Sequence, residues 1–154
     1  MNQQMDRLAI GCMGLGGGWN DKSYDRNHIK QAEKVIETAL EAGIGYFDHA
    51  DIYARGKAEA VFGEVLKSRP ELREKIFLQT KCGIRLPGDP PECQQGRYDF
   101  SRKHILRSIE DSLKRLKTDC IDMLLLHRPD PLVEPEEVSN VFEQLKESGK
   151  VKKF

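Results

Sequence analysis

Three ionisable side chains each close an apolar run. Asp48 follows residues 44–47, Lys81 follows residues 76–80, and His127 follows residues 121–126. Such runs read as buried strands, and in parallel α/β folds the functional groups gather at the C-terminal strand ends. A carboxylate, an ammonium and an imidazole are therefore expected to meet at one rim. Tyr53 lies just past Asp48, on the loop leaving the same rim. Taken singly, each has a plainer reading. Asp48 could cap a turn, as could Asp51; Lys81 could extend into solvent; Tyr53 could be a surface aromatic; His127 could be a hydrogen-bonded core histidine. Their joint placement at matching strand ends favours a functional set.

The elements that must hold these groups follow from the spacing of apolar residues. Residues 8–13 read as a short buried strand opening into glycines. Ile29, Ala32, Val35, Ile36, Ala39 and Leu40 fall at helical spacing, with Asn27 expected as N-cap and Gly43 as the left-handed residue that ends the helix. Residues 44–48 form the next strand. Ala58, Val61, Phe62, Val65 and Leu66 mark a second amphipathic helix. A strand over 76–80 leads into a long loop over 83–100, a length that in compact domains usually signals function or disorder. Ser101 then caps a helix whose inner face is Ile105, Ile109, Leu113 and Leu116. A strand over 121–126, a helix opened by Pro135 and ended by Gly149, and a stub over 151–154 complete the chain.

Strands that alternate with helices imply a parallel sheet. Near-continuous apolar strands such as 123–126 suit a sheet covered on both faces. Two architectures satisfy this pattern: a doubly wound open sheet, or the first part of a (β/α)8 barrel. The dinucleotide fingerprint of the open sheet needs a glycine turn running straight into a helix. Gly14, Gly16, Gly17 and Gly18 are instead followed by Trp19 and Asn20, with the helix several residues later. That fingerprint is therefore rejected.

Composition narrows the function classes. Of 154 residues, 38% are hydrophobic and 32% charged, a globular balance. The 25 basic and 25 acidic residues cancel, which gives no electrostatic reason to expect nucleic acid or an anionic membrane as partner. No apolar run approaches the roughly 20 residues of a membrane span. The first six residues are polar and no signal sequence follows them, so a cytoplasmic location is the expectation. Cys12, Cys82, Cys93 and Cys120 form no C-x-x-C pair and no zinc-finger spacing with histidine. Reduced thiols, two of them buried in strands, and no metal site are expected.

Four segments carry a more specific message. Phe47-Asp48-His49-Ala50-Asp51-Ile52-Tyr53 resembles the F-D-T-A-x-x-Y signature of the aldo-keto reductases. Gln79-Thr80-Lys81 resembles that family's strand-three T-K, and Leu124-Leu125-Leu126-His127 its strand-four L-x-x-H. Residues 148–154 resemble the S-G-K-V-R-x-x that leads into strand five. The four matches are in order over nearly the whole chain. The wording D-H-A-D-I-Y and H-R-P-D-P is similar to a bacterial branch of uncharacterised oxidoreductases. Departures fall on one loop: His49 stands where threonine is common, and Ala54-Arg55 precede Gly56 where glycine usually follows the tyrosine directly. Glu59 matches the family's glutamate after that glycine.

The resemblance implies a parallel (β/α) barrel of TIM type, with residues 1–154 as its N-terminal half and about the first four β/α units present. It implies hydride transfer from a nicotinamide cofactor, NADPH above all, to the carbonyl carbon of a small aldehyde or ketone. Tyr53 would donate the proton, Lys81 would make the phenol a better acid by stabilising its anion, Asp48 would hold Lys81, and His127 would orient the carbonyl oxygen. Gly11, Cys12 and Met13, with Asp48, would face the nicotinamide ribose, and Trp19 would wall the substrate pocket beside Tyr53 and His127. Arg128 is expected to pair with Asp130. Because phosphate sites in such barrels lie after strands seven and eight, most of the cofactor grip belongs to a C-terminal half. The 154 residues alone are expected to bind NADPH weakly and to turn over negligibly. The alternative is a non-catalytic half-barrel that self-associates through exposed sheet edges or serves as an interaction domain.

Overall fold

The computed structural model describes residues 8–154; the polar segment 1–6 and Arg7 lie outside the described residues. Five parallel strands form one sheet: β1 (Ile10–Gly11), β2 (Tyr46–Asp48), β3 (Phe77–Cys82), β6 (Ile121–Leu126) and β7 (Val151–Lys153). Four helices connect them: α1 (Arg26–Glu41), α2 (Lys57–Ser68), α3 (Arg102–Leu116) and α4 (Pro135–Glu147). The long loop carries a small antiparallel hairpin, β4 (Ile84–Arg85) with β5 (Arg97–Tyr98).

Strand order decides between the two architectures. A doubly wound sheet reverses direction at a switch point. Here the parallel strands follow chain order from β1 to β7 without reversal. The helices pack as one layer, α1 on α2, α2 on α3 and α3 on α4. Continuous winding with the helices ranked in sequence is the arrangement of a (β/α) barrel opened along its length.

The core lies between sheet and helices. Phe47, Leu78 and Leu124 point to the helix layer and are fully buried, against Ile36, Phe62, Ile105 and Ile109. Alternate positions Tyr46, Phe77, Met123 and Leu125 occupy the other face and are half-buried. Apolar residues thus fill 123–126 of β6, with the buried Asp122 before them, but only one face of the sheet is fully covered among the described residues, not both as expected.

Two boundary readings are corrected. Asp25, rather than Asn27, caps α1: its carboxylate accepts from the backbone N–H of Asn27 at 2.9 Å and of His28 at 3.1 Å. Strand β1 is confined to Ile10–Gly11 within the expected run, and β2 starts two residues later than expected while ending at Asp48 as expected. Gly43 does take the left-handed φ of +76° expected after α1. One glycine has a packing role that periodicity missed. A Cβ on Gly63 of α2 would lie 2.0 Å from the Arg115 carbonyl oxygen, so its absence lets α2 and α3 approach closely.

Candidate active site

Strand register brings the expected groups together. Gly11 of β1 pairs with Asp48 of β2, and Asp48 with Gln79 of β3. Lys81 follows two residues later on the same face of β3. The backbone N–H of His127 donates to the Cys82 carbonyl at 2.8 Å, which extends the β3–β6 ladder past the strand end. Tyr53 arrives on the turn Tyr53–Gly56 that leads into α2.

Lys81 is the hub. Its Nζ lies 2.8 Å from Asp48 Oδ1 and 2.9 Å from Oδ2. It also donates to the His49 carbonyl at 2.8 Å and to the Tyr53 hydroxyl at 2.9 Å. Its three N–H bonds are thus fully used. Nζ also lies over the Tyr53 ring, 4.7 Å from its centroid. The His127 ring meets Tyr53 edge-on, with centroids 5.9 Å apart. Burial, then Lys81 and Arg128, hold the His127 pKa below its ordinary value, against an opposing pull from Asp48. The imidazole is therefore neutral near pH 7 and can donate one N–H. Its Nδ1 is buried with no hydrogen-bond partner among the described residues.

The turn that carries Tyr53 is strained. Ala54 and Arg55, the two residues that depart from the family pattern, have φ of +49° and +57°, and Gly56 has +83°. Left-handed backbone costs a non-glycine residue about 1 kcal/mol. The turn is anchored on its far side by Glu59. This fully buried carboxylate accepts from Thr80 Oγ1 at 2.6 Å and from Arg115 Nε at 2.8 Å, tying α2 to β3 one residue before Lys81.

The remaining predicted positions spread outward. Cys12 is buried against the site, its N–H on the Asp48 carbonyl at 2.9 Å; burial and the Asp48 charge raise its pKa, so it is a thiol. Met13 and Trp19 are exposed on the loop after β1. Arg128 makes no ion pair among the described residues, and the Asp130 carboxylate instead accepts from the Leu132 N–H at 3.0 Å. The expected Arg128–Asp130 pair is therefore absent, because Arg128 sits in a left-handed turn with φ of +77°.

Two residues joined to the site were not singled out from sequence. The Gln79 amide N–H donates to Asp48 Oδ1, and its carbonyl accepts from the Tyr46 hydroxyl. The signal was present: Tyr46 and Gln79 stand two positions before Asp48 and Lys81, on the same strand faces. His49 goes the other way. It points into the helix layer against Phe62, with ring centroids 4.6 Å apart, and both ring nitrogens are unpartnered among the described residues.

A singly wound parallel sheet thus gathers Asp48, Lys81, Tyr53 and His127 at the C-terminal ends of its strands, the layout of one part of a (β/α) barrel. Residues 7–154 match the aldo/keto reductase family, and the chain belongs to that family. It is 51% identical over 121 residues to the uncharacterized oxidoreductase YcsN of Bacillus subtilis, covering 78% of this chain and 40% of that protein. It is 41% identical over 150 residues to 6-dehydroglucose reductase of Agrobacterium fabrum, covering 97% and 48% respectively. Among solved structures it is similar to the holo form of aldo-keto reductase AKR11C1 from Bacillus halodurans, with a TM-score of 0.74 and 34% identity over 94% of this chain and 43% of that one. The chain therefore spans about half the length of the curated relatives it matches, and its sheet is part of a TIM-type barrel. Among the described residues, no helix is long and apolar enough to cross a membrane.

Proposed function

We propose that residues 1–154 form the N-terminal half of a (β/α)8 barrel that reduces the carbonyl of a small aldehyde or ketone with NADPH. The observation that carries this reading is the single ammonium, Lys81 Nζ, that holds Asp48 on one side and donates 2.9 Å to the Tyr53 hydroxyl on the other. Because the Tyr53 oxygen accepts from Lys81, its own proton is free to point at a substrate oxygen. A nicotinamide, when bound, would supply the hydride for the carbonyl carbon. Tyr53 then gives its proton to the developing alkoxide, and the phenolate left behind faces the Lys81 charge until solvent reprotonates it. His127, neutral, donates to the same substrate oxygen and sets its position.

Gly11 stands beside Asp48 in the sheet, and a Cβ there would meet no atom within 4 Å, so the surface next to Asp48 is open. Gly11, Cys12, Met13 and Asp48 are proposed to line the nicotinamide side, with Trp19, Tyr53 and His127 on the substrate side. The name of the Agrobacterium relative points to an oxidised sugar as one substrate class. Working in the cytoplasm on a small diffusible substrate suits this chemistry.

In the complete barrel, Tyr53→Phe is expected to lower carbonyl reduction by at least about 100-fold while leaving NADPH affinity within two-fold. The assay is NADPH oxidation at 340 nm beside fluorescence titration of the cofactor. Equal turnover in the variant would remove Tyr53 from the proton-donor role. The 154 residues alone are proposed to bind NADPH weakly and to be inactive; a micromolar affinity measured for them would overturn that.

A further inference from the structure

We infer that Gln79, backed by Tyr46, is a positioning residue that sets the orientation of the Asp48–Lys81 pair and through it the ammonium's aim at Tyr53. The inference rests on the proposed role of Tyr53 and goes beyond it, since neither Gln79 nor Tyr46 belongs to the four groups named for the chemistry. Register places Gln79 directly beside Asp48, and Tyr46 precedes Asp48 by one strand period. Gln79 is buried, at 7% exposure.

The amide can sit in only one sense. An ionised carboxylate accepts and cannot donate, so the Gln79 NH2 must face Asp48 and its carbonyl must face Tyr46. The Tyr46 hydroxyl donates to that carbonyl, with the Met123 sulfur 3.8 Å away as a second neighbour. Tyr46 thus fixes the amide, and the amide fixes Asp48 Oδ1.

Lys81 straddles both Asp48 oxygens. A rotation of the carboxylate about its last bond would move both contacts at once and carry the ammonium with it. The Asp48 side chain is 25% exposed, so water alone would leave that rotation open. With Gln79 in place one rotamer is held. Lys81 then keeps its third N–H on the Tyr53 hydroxyl, since its other bonds go to Asp48 and the His49 carbonyl. The order of action runs Tyr46, Gln79, Asp48, Lys81, Tyr53, with only the last in contact with a reacting oxygen.

The test uses the chain labelled with 15N-lysine, whose hydrogen-bonded ammonium groups are observed by NMR in cool, neutral solution. The Lys81 signal is assigned by its loss in Lys81→Arg. Gln79→Met keeps the length of the side chain but removes both hydrogen bonds. It is expected to speed proton exchange at the Lys81 ammonium by about ten-fold or more, the scale of one lost hydrogen bond to a charged group. Tyr46→Phe, which leaves the Gln79–Asp48 bond, is expected to speed it by a smaller factor. Gln79→Glu, which cannot donate to Asp48 when ionised, is expected to resemble Gln79→Met or exceed it. Thermal melts of each variant separate this from general loosening. A Lys81 signal with unchanged exchange in a folded Gln79→Met chain would overturn the inference and leave the four-residue site standing. Absence of a protected Lys81 signal in the unaltered chain would overturn both. In the complete barrel, the matching kinetic result is a kcat lowered about ten-fold in Gln79→Met with KM within two-fold. Turnover unchanged by Gln79→Met but lost in Tyr53→Phe would again remove only Gln79.

Discussion

Replacing His49 by leucine should make this protein more resistant to acid. His49 is completely buried, and neither ring nitrogen has a partner among the described residues. Burial, with a smaller contribution from the Lys81 charge, pushes its pKa down from an ordinary 6.5 to about 3. A histidine whose pKa is depressed on folding binds fewer protons in the native state than in the unfolded chain. The native state therefore holds its full stability above pH 6.5 and loses it as pH falls from 6.5 toward 3. At pH 4.5 the unfolded chain has gained about two pKa units of protonation free energy that the fold cannot match. At 1.36 kcal/mol per unit, the loss is about 3 kcal/mol. Leucine fits the apolar surroundings, which include Phe62, and carries no proton. Urea unfolding of both proteins between pH 4.5 and 7.5 cancels the carboxylate contributions they share. The stability difference should move by about 3 kcal/mol in favour of His49→Leu as pH falls across that range. A difference that stays flat to within about 0.5 kcal/mol would show that water or a rearrangement reaches the ring and would refute the reasoning.

Asp51 should show the opposite slope. Burial first, then the nearby Glu59 charge, raise its pKa from 3.8 to about 7, and its Oδ1 is unpartnered among the described residues. Its contribution is intact below pH 3.8 and is lost as pH rises through 7, so Asp51→Asn should gain about 3 kcal/mol over the parent between pH 4.5 and pH 8, read from the same unfolding curves. An advantage that does not grow with pH would show the carboxyl to be hydrated. Gly63→Ala should destabilise the protein by about 2 kcal/mol or more despite alanine's better helix propensity, because the new methyl meets the Arg115 carbonyl. A melting temperature equal to the parent's would mean that α2 and α3 separate at little cost.

Much of the site was legible because strands impose a period of two and parallel sheets collect function at one end. That rule places Asp48, Lys81 and His127 at neighbouring strand ends, where the structure has them, and their neighbours in sequence carry the family pattern. Gln79 and Tyr46 obey the same period but were passed over, since an amide and a phenol inside an apolar strand read as ordinary filling until a partner is seen. The cap of α1 is Asp25 rather than the expected Asn27, because periodicity locates a helix better than its first residue. The pairing of Arg128 with Asp130 was a neighbour argument, and the left-handed turn at Arg128 defeats it.

Local order, the alternation of strand and helix, and the residue types able to act as acid, base and donor were determined by the sequence on its own, since they depend on spacing along the chain. Which way the sheet winds, which side of β2 His49 takes, and the three-way sharing of the Lys81 ammonium were decided only by tertiary structure. Those features depend on strand register and on distances between residues some thirty positions apart, which no local pattern encodes.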